Sequence, residues 1–357
     1  LVCVIYLPGG RLSATIKDVA RLAGCSIKTV SRVINDEPHV TAELRDKVQA
    51  AVRAAGYAPN LSARRLVQNK SYMVCILMYP GYDQAAAALL SRIMDIGYDE
   101  NYDILFQPYY PASRLSRNKL VDLVTARRMD GFVTTPPCDA DGFVGDLLTT
   151  YKVPQIQIDP TTPSPEIPCL AGNDLQGARA MTEYLLGLGH HRVAFLTGPR
   201  NLRSSAVRLE GYQAALQSHG LALDLSLLEA SEFTFDGGYT AARLLLARQD
   251  PPSAIFAGSD SAAYGALFAA QELGLSIPAD LSISGYSDLT LSKYFFPGLT
   301  TVHQPIEEML EIATRRLIAT LKGNPPEENT LILPARLVIR GSTAPPSNKK
   351  AARIGNS

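Results

Sequence analysis

The stretch TIKDVARLAGCSIKTVSRVIN, residues 15–35, places its apolar side chains in two short runs of helical spacing that meet at a glycine. Thr15 and Asp18 form an S/T-x-x-D/E pair, which predicts the capped start of a first helix. Gly24 can adopt the positive φ angle that ends such a helix and reverses the chain. Ser26 then follows as the cap of a second helix. The stretch therefore predicts two short helices joined by a tight turn.

A third helix is predicted over TAELRDKVQAAVRAAGY, which begins at Thr41. Three short helices with a glycine turn between the first two form a helix-turn-helix unit. The alternative is a small three-helix domain whose polar face only meets water. In either case the apolar residues that face inward are Ile16, Val19, Ala20, Ala23, Val30, Val33, Ile34, Leu44, Val48, Ala51, Val52 and Ala55.

The second helix carries side chains suited to DNA on its outer face. Lys28 and Arg32 can donate to guanine O6 and N7, and Ile27 can contact a thymine methyl group. Three polar residues suited to phosphate contacts lie on or beside the same face, namely Ser26, Thr29 and Ser31.

Positive charge is concentrated around this unit, although the formal net charge of the 357-residue chain is +0. Residues 11–70 contain eleven Lys and Arg against five Asp and Glu, so the rest of the chain carries the matching acidic excess. A basic block beside an acidic remainder is typical of a module that binds a polyanion. Charge alone does not distinguish DNA from RNA or from an anionic membrane.

The overall composition indicates a globular protein without membrane spans. The length predicts two or three domains, and 46% hydrophobic residues suffice for sizeable cores. The longest apolar runs fall well short of the roughly 20 residues that a membrane span needs. The opening LVCVIYLPGG lacks the basic region of a signal peptide. We therefore expect residues 1–13 to be a disordered N-terminal extension of a protein that stays inside the cell.

The motifs give no support to catalysis or metal binding. The sequence contains no P-loop, G-x-S-x-G or H-E-x-x-H pattern, and its five His show no metal-ligand spacing. The five Cys are odd in number and include no C-x-x-C pair, which favours reduced thiols over disulfides or zinc. We expect no catalytic residue, no cofactor and no metal site.

Residues 15–71 resemble the DNA-binding headpiece of the lactose-repressor and galactose-repressor (LacI/GalR) family. The fragments I-x-D-V-A, G-x-S, T-V-S-R-V-I-N, Y-x-P-N and A-R-x-L occur together and in this order. The resemblance implies a headpiece over residues 14–59, then a hinge helix and linker over residues 60–71. It also implies a set of DNA contacts, namely Thr15, Ser26, Ile27, Lys28, Thr29, Ser31, Arg32, Asn35, His39, Thr41, Asn60, Ala63, Arg64 and Leu66.

By this resemblance Ile27, Lys28 and Arg32 enter the major groove. The implied hinge helix is capped by Asn60, and in the family it lies in the minor groove. A leucine at the position of Leu66 inserts there into a central base step, so that the operator bends. The alternative for Leu66 is a linker residue that packs on the next domain. The residues implied to touch the DNA backbone or flanking bases are Asn35, His39 and Thr41.

After Ser71 short apolar segments alternate with amphipathic helical segments. The apolar segments include YMVCILMY, YDILFQ, DGFVTTP, PQIQID, RVAFLTG, SAIFAG and LSISGY. This alternation predicts βαβ units and parallel sheets. About ten such segments exceed one ordinary open sheet, which favours two lobes with a ligand cleft between them. The predicted fold class is an all-α helix-turn-helix headpiece followed by an α/β core of two doubly wound parallel-sheet lobes.

Residues 72–341 resemble the effector-binding and dimerisation core of the same family, which is similar to periplasmic sugar-binding proteins. The matching segments include LGHHRVAFLTGP, RLEGY, SAIFAGSD and LGLSIPADLSISGYSD. The tail over 342–357 contains adjacent prolines and several basic residues, which predicts disorder. The implied lobe boundaries are about 72–170 with 305–325 for the first lobe, and about 171–298 with 329–341 for the second.

The resemblance also implies residues in the cleft. Arg208 of R-L-E-G-Y matches the arginine that binds effector hydroxyls or carboxylates in much of the family, and bidentate donation suits both. The alternative for Arg208 is a surface ion pair with Glu210 or a neighbour. Two residues depart from the family pattern. Ser259 stands where Asn is usual, and Ser287 stands where the usual Asp accepts hydrogen bonds from sugar hydroxyls, which argues against an ordinary hexose as effector.

Further cleft candidates follow from the same resemblance, from side-chain chemistry and from position after a predicted strand. Phe233 or Phe235 could supply an aromatic platform for a sugar ring, although either could equally be a core residue. The other candidate effector contacts are Asp260, Ser287 and Gln304, which the resemblance implies, and Tyr79 and Asp83, which follow the first predicted strand.

Two hypotheses from different classes follow. The first is a repressor that binds a pseudo-palindromic double-stranded DNA operator as a homodimer, controlled by a sugar or sugar-derived effector, in the cytoplasm and associated with the nucleoid. The second is a sugar-binding or sugar-modifying protein that uses its basic arm only for localisation. The helix-turn-helix favours the first, because a solute-binding receptor would gain nothing from it. The tail shows no leucine heptads, which favours a dimer over a tetramer.

Overall fold

The computed structural model describes residues 14–34, 40–57, 70–79, 86–139 and 142–347. The chain divides into two compact units, Leu1–Lys70 and Ser71–Ser357. Among the described residues the first unit contains only helices, and the second combines helices with largely parallel sheets. No helix within these ranges is long and apolar enough to cross a membrane.

The first unit consists of three helices, α1 (Ile16–Ala23), α2 (Ile27–Ile34) and α3 (Ala42–Ala55). Every inward residue predicted from the helical spacing belongs to their shared core, either buried or partly buried. The prediction of a three-helix unit built around the turn between α1 and α2 is therefore confirmed.

Local hydrogen bonds fix the turn between α1 and α2. The Asp18 carboxylate accepts hydrogen bonds from the backbone N–H and the hydroxyl of Thr15, at 3.0 and 2.7 Å. Gly24 has a φ of 59°, a conformation that strains residues with a Cβ atom, so glycine ends α1 at this point. The Ser26 hydroxyl accepts from the N–H of Thr29 at 3.1 Å and caps α2.

The first lobe of the second unit contains one parallel sheet. Its strands are β1 (Met73–Met78), β2 (Asp103–Pro108), β3 (Gly131–Thr134), β4 (Gln155–Ile158), β5 (Cys169–Gly172) and β11 (Thr330–Leu333). The six strands lie in the order β11-β5-β4-β3-β1-β2. The helices of this lobe are α4 (Ala86–Glu100), α5 (Arg114–Thr125), α6 (Phe143–Thr150) and α11 (Ile306–Leu321).

The second lobe contains a smaller parallel sheet. Its strands are β6 (Val193–Thr197), β7 (Leu228–Ala230), β8 (Ala254–Ala257) and β9 (Ser282–Ser284), in the order β7-β6-β8-β9. Its helices are α7 (Asp174–Gly187), α8 (Arg203–Ser218), α9 (Phe235–Leu246) and α10 (Asp260–Glu272), with 3-10 turns at Leu225–Leu227 and Thr290–Lys293. An antiparallel pair, β10 (Thr301–His303) with β12 (Arg336–Val338), packs against this lobe.

Strand β1, an interior strand of the first lobe, is buried on both faces. In β1, Val74 and Ile76 belong to an apolar cluster with α11, whereas Cys75 and Leu77 belong to a cluster with α5. Alternate strand residues point to opposite faces of a sheet, so helices on both sides require apolar residues at every position. This requirement accounts for the uninterrupted run MVCILM.

One lobe boundary from the sequence analysis is wrong. That analysis assigns residues 329–341 to the second lobe, but β11 pairs with β5 in the sheet of the first lobe. Only β12 belongs to the second lobe, where Leu337 packs beside Val302. Two apolar strands separated by two residues suggest neighbours in one sheet, whereas here the chain crosses between the lobes at Pro334 and Ala335.

The segment after Gly341 is hydrogen-bonded to the second lobe. The Ser342 hydroxyl donates to the carbonyl of Ile283 at 2.6 Å and accepts from the N–H of Thr300 at 2.8 Å. The predicted disorder is therefore wrong for residues 342–347, because hydroxyl groups attach them to strand ends. The later residues lie outside the described ranges.

Removing this segment should destabilise the core. A chain that ends at Gly341 loses the hydrogen bonds of Ser342 and those of Ala344, whose N–H donates to Ser282 at 3.0 Å. Because a buried hydrogen bond contributes about 1 kcal/mol, we expect the free energy of unfolding in urea to fall by roughly 2–4 kcal/mol. A chain that ends at Ser347 is the matched control and should unfold like the full chain. Equal stability of the two shortened chains would contradict this account.

Candidate functional site

The outer face of α2 is available for recognition. Ser26, Lys28 and Arg32 are exposed, and Ile27 is 44% exposed. Lys28 and Arg32 lie one helical turn apart, so their side chains leave the same face of the helix. The opposite face packs into the three-helix core, which fixes the orientation of the helix within the headpiece.

The other predicted DNA contacts differ in their placement. Thr29 and Ser31 are half-buried on α2. The Thr15 hydroxyl donates to Asp18, and the Thr41 hydroxyl caps α3 by accepting from the N–H of Leu44 at 3.4 Å. The remaining predicted contacts, Asn35, His39, Asn60, Ala63, Arg64 and Leu66, lie outside the described residues.

The second unit contains a cleft between its two lobes, with a volume of about 440 Å³. Residues line it where strands of both sheets end, as is usual for ligand sites in open α/β sheets. From the first lobe come Tyr79, Pro136, Pro137 and Asp159, which follow β1, β3 and β4. From the second lobe come Pro199, Asn201, Leu202, Ser204, Arg208, Glu232, Phe233, Thr234, Ser259, Asp260, Ser261, Ser287 and Leu289, and Gln304 lies where the chain passes from β10 to α11.

Arg208 lies at the cleft and is only 4% exposed. Its Nε and Nη2 both lie 3.0 Å from Oδ2 of Asp174. Its Nη1 donates to the carbonyl of Gly258 at 2.7 Å, and Nη2 also donates to Oε1 of Gln304 at 3.2 Å. The guanidinium further lies 3.9 Å from the ring centroid of Tyr286. Of the alternative, a surface ion pair with Glu210 or a neighbour, the surface location and the Glu210 partner are wrong, but an ion pair is present, because the buried arginine pairs with Asp174.

These contacts extend across the lobes. The amide of Gln304 donates to Oδ2 of Asp159 at 2.9 Å, and the N–H of Gly172 donates to the other oxygen at 2.9 Å. The Tyr286 hydroxyl donates to Oδ1 of Asp174 at 2.9 Å. We call the five side chains of Asp159, Asp174, Arg208, Tyr286 and Gln304 the interlobe network. It contains two carboxylates and one guanidinium.

The network perturbs the acid–base behaviour of its members. Burial and the nearby carboxylate of Asp174 raise the pKa of Asp159 to about 7, against the partial opposition of the Gly172 N–H. Burial, followed by the same Asp174 carboxylate, raises the pKa of Tyr286 well above its ordinary value. The network therefore holds a carboxyl group that changes its charge near neutral pH.

Asp260 borders the cleft, but its carboxylate is turned away from it and fully buried. One oxygen accepts from the Thr301 hydroxyl at 2.5 Å, and the other accepts from the N–H of Leu289 at 2.8 Å and the hydroxyl of Ser292 at 2.5 Å. These contacts attach the segment after β9 to α10. Burial raises the pKa of Asp260, and the hydroxyl donors oppose that rise. This geometry does not support the predicted effector contact, because protein groups already donate hydrogen bonds to both carboxylate oxygens.

The two candidate aromatic platforms lie in different places. Phe233 lines the cleft, and its ring lies over Gly198 and Gly258, where a Cβ atom would collide with it. Phe235 begins α9, is 42% exposed and contacts Phe268 at 5.9 Å between ring centroids. Phe235 is not among the residues that line the cleft, so its prediction is wrong. Phe233 has a positive φ of 56° and the chain enters α9 at Phe235, so the backbone turns between the two rings and they point in different directions.

Backbone strain concentrates at the cleft. Positive φ angles occur at Asp159 (43°), Glu232 (51°), Phe233 (56°) and Ser287 (122°), which all line it. Residues with a Cβ atom adopt this region at a cost, and such positions cluster at functional sites. Tyr79 also lines the cleft as predicted, whereas Asp83 lies outside the described residues.

Asp159, Asp174, Glu232 and Tyr286 are absent from the residues predicted from sequence. Asp159 and Asp174 each follow a strand closely, which was a usable signal because side chains at strand ends face the cleft. No comparable signal marks Glu232. Among the described residues no group of three or more His, Cys, Asp or Glu could hold a metal ion.

The pKa of Asp159 leads to a pH-dependent stability. Its ordinary value is 3.8 and its folded value about 7, so the folded state keeps a proton that the unfolded state releases between these values. Stability from this group is therefore lost as pH rises through that window. The asparagine of Asp159→Asn does not titrate, so it does not lose this stability. The unfolding free energy of the variant minus that of the wild type, measured by urea denaturation, should therefore rise by roughly 2 kcal/mol from pH 5 to pH 8. A difference that stays constant with pH would contradict the assignment.

Both units of the chain match known protein families. Residues 15–60 match the family described as bacterial regulatory proteins, lacI family. Residues 182–343 match the periplasmic binding protein-like domain. The two matches fall on the helical unit and on the core that contains the cleft.

Similar proteins extend over nearly the whole chain. The ribose operon repressor of Escherichia coli (strain K12) is 32% identical over 336 residues, which cover 92% of this chain and 99% of that protein. The lac repressor dimer bound to operator and the anti-inducer ONPF is 27% identical with a TM-score of 0.75, covering 93% and 99%. The complex of the transcriptional regulator CelR with cellobiose is 27% identical with a TM-score of 0.71, covering 92% and 99%. The chain belongs to the LacI family of bacterial regulatory proteins, and it is a DNA-binding transcriptional regulator rather than an enzyme.

Proposed function

We propose that this protein represses transcription by binding a pseudo-palindromic operator as a homodimer, and that a small effector in the interlobe cleft controls its operator affinity. The observation that carries this proposal is the pairing, in one chain, of a basic recognition helix with a cleft of about 440 Å³. That volume lies in the range of small-molecule sites. A regulator of this kind works where the chromosome is, in the cytoplasm.

The operator contacts follow from the outer face of α2. Lys28 and Arg32 donate to base edges in the major groove, and Ile27 contacts a thymine methyl group. The hinge contributes Leu66 as a wedge in the minor groove. The supporting contacts to phosphates or flanking bases come from Thr15, Ser26, Thr29, Ser31, Asn35, His39, Thr41, Asn60, Ala63 and Arg64.

The effector is carbohydrate-related. Two similar proteins are named for ribose and for a complex with cellobiose, which supports this class. Phe233 offers an aromatic face at the cleft, and Ser287, Gln304 and Tyr79 offer polar groups. Arg208 supports the site chiefly by fixing Gln304 and the wall formed by Gly258.

Control works through the contacts between the lobes. Gln304 lies on the crossover and connects Arg208 of the second lobe with Asp159 of the first. A ligand can shift the balance between lobe arrangements only if it binds them unequally. An effector that engages Gln304 or Asp159 changes this connection directly, which provides such a difference.

A strip of exposed aromatic residues supports a homodimer. Phe295 stacks on Tyr264 at 4.5 Å between ring centroids, while Phe296 is 100% exposed beside it. Tyr264 itself is buried, but Phe268 lies one turn further along α10, is exposed and contacts the exposed Phe235. The strip therefore consists of Phe235, Phe268, Phe295 and Phe296, and exposed apolar side chains grouped in this way are typical of a protein interface. A second copy of the chain is the partner that a pseudo-palindromic operator requires.

The operator contacts can be tested with a pair of lysines. Lys28→Ala should weaken specific binding by about 1–3 kcal/mol and relax base preference at one position of each half-site, because a base contact is lost. Lys47→Ala on α3 removes the same charge away from the outer face of α2, and should leave base preference unchanged. Selected operator libraries and footprinting provide the measurement. If preference stays intact in Lys28→Ala, Lys28 contacts phosphate instead.

The dimer can be tested at the aromatic strip. Phe296→Asp places a charge in the interface and should shift the protein toward monomer in sedimentation velocity, with weaker binding to the full operator. Leu225→Asp is the control, since Leu225 is 72% exposed in the same lobe but outside the strip. A dimer that survives Phe296→Asp unchanged would place the interface elsewhere.

A further inference from the structure

The charged groups that line the cleft are mostly acidic. Among the described residues that line it, Asp159, Glu232 and Asp260 are acidic and Arg208 is the one basic residue. The Asp260 carboxylate is fully buried and accepts hydrogen bonds from the protein. The charge of Arg208 is balanced by its ion pair with Asp174. Asp159 is only half-buried and Glu232 is exposed, so these two remain as the carboxylates that a ligand meets.

These two carboxylates come from opposite sides of the cleft. Asp159 follows β4 in the first lobe, and Glu232 follows β7 in the second. Within the described residues neither forms an ion pair. The oxygens of Asp159 accept from the N–H of Gly172 and the amide of Gln304, which are neutral donors. Arg208 and the exposed Arg203, at the start of α8, both act on Asp159 through their charge and oppose the rise of its pKa.

Arg208 cannot balance a ligand anion without losing protein contacts. Its Nε and Nη2 are both directed at Asp174, while Nη1 holds the carbonyl of Gly258 and Nη2 also holds Gln304. A carboxylate or phosphate needs two adjacent N–H groups for bidentate binding. Taking them would leave the buried Asp174 without its partner, which is strongly unfavourable.

We propose that the effector carries no anionic group. Among sugars that share one carbon skeleton, the amine-bearing form binds the cleft more tightly than the neutral form. The neutral form in turn binds more tightly than the acid or the phosphate. This inference rests on the proposed function and specifies its ligand. A protonated amine or a hydroxyl donates to Asp159 and Glu232, and an ammonium also offsets their charge. An anion would be desolvated beside two carboxylates, and the described residues that line the cleft offer it no cation other than Arg208, which is paired with Asp174. Ser287 offers only a hydroxyl, so the cleft depends on these carboxylates as acceptors.

The test uses the full chain and matched sugar sets. Calorimetry at pH 7.5 compares D-glucosamine, D-glucose, D-gluconate and D-glucose 6-phosphate, and then D-ribose, D-ribonate and D-ribose 5-phosphate. Within a skeleton we expect at least a tenfold lower Kd for the amine-bearing or neutral form than for the acid or phosphate. Glu232→Gln should reduce the preference for the amine severalfold, because one of the two carboxylates is removed. Glu210→Gln, an exposed glutamate on α8 outside the cleft, should leave the order unchanged.

Each outcome decides the inference. An acid or phosphate that binds as tightly as its neutral counterpart overturns it, and so does a panel in which no neutral or amine-bearing sugar binds. The regulator function is tested separately by measuring operator affinity with each bound sugar. An anionic sugar that binds and changes operator affinity would overturn the charge preference while supporting the regulator. A neutral or amine-bearing sugar that binds without changing operator affinity would support the charge preference and contradict the regulator function.

Discussion

The buried ion pair between Arg208 and Asp174 is the interaction on which the cleft depends. An unpaired charge at this depth would be costly, so each member requires the other, and both require further hydrogen bonds. Those bonds reach the carbonyl of Gly258, the hydroxyl of Tyr286 and the amide of Gln304. One pair thereby fixes the end of β8, the end of β9 and the crossover between the lobes. A ligand enters a site whose polar wall is already assembled.

The sequence predicts the headpiece well because its determinants are local. The capping pair, the turn glycine and the apolar spacing act within a few residues, and all of the predicted inward residues lie in the observed core. The lobe boundary near residue 330 fails for the opposite reason. The partner of β11 is β5, about 160 residues earlier in the chain, and the apolar pattern of a strand does not specify which sheet it joins. The attachment of residues 342–347 depends on equally distant hydroxyl contacts.

The same contrast between local and distant determinants applies to single side chains of the cleft. A motif identifies Arg208 as a cleft residue, but whether its donors are free depends on Asp174, which the motif does not contain. Asp260 has the expected position, yet Thr301 and the segment after β9 use its oxygens. Electrostatic behaviour is least accessible from sequence, because the pKa of Asp159 depends on burial and on the one neighbouring carboxylate that the fold brings close.

The zero net charge of the chain conceals two recognition surfaces of opposite sign. The headpiece concentrates basic residues, which suits a polyanion whose binding releases counterions. The core carries the acidic excess, and the described charged residues that line its cleft are mostly acidic. The operator is therefore attracted by the headpiece and gains nothing from the core's charge. In the proposed function the core influences DNA through its lobe arrangement, and the contacts of Gln304 across the lobes are the step that joins ligand binding to operator affinity.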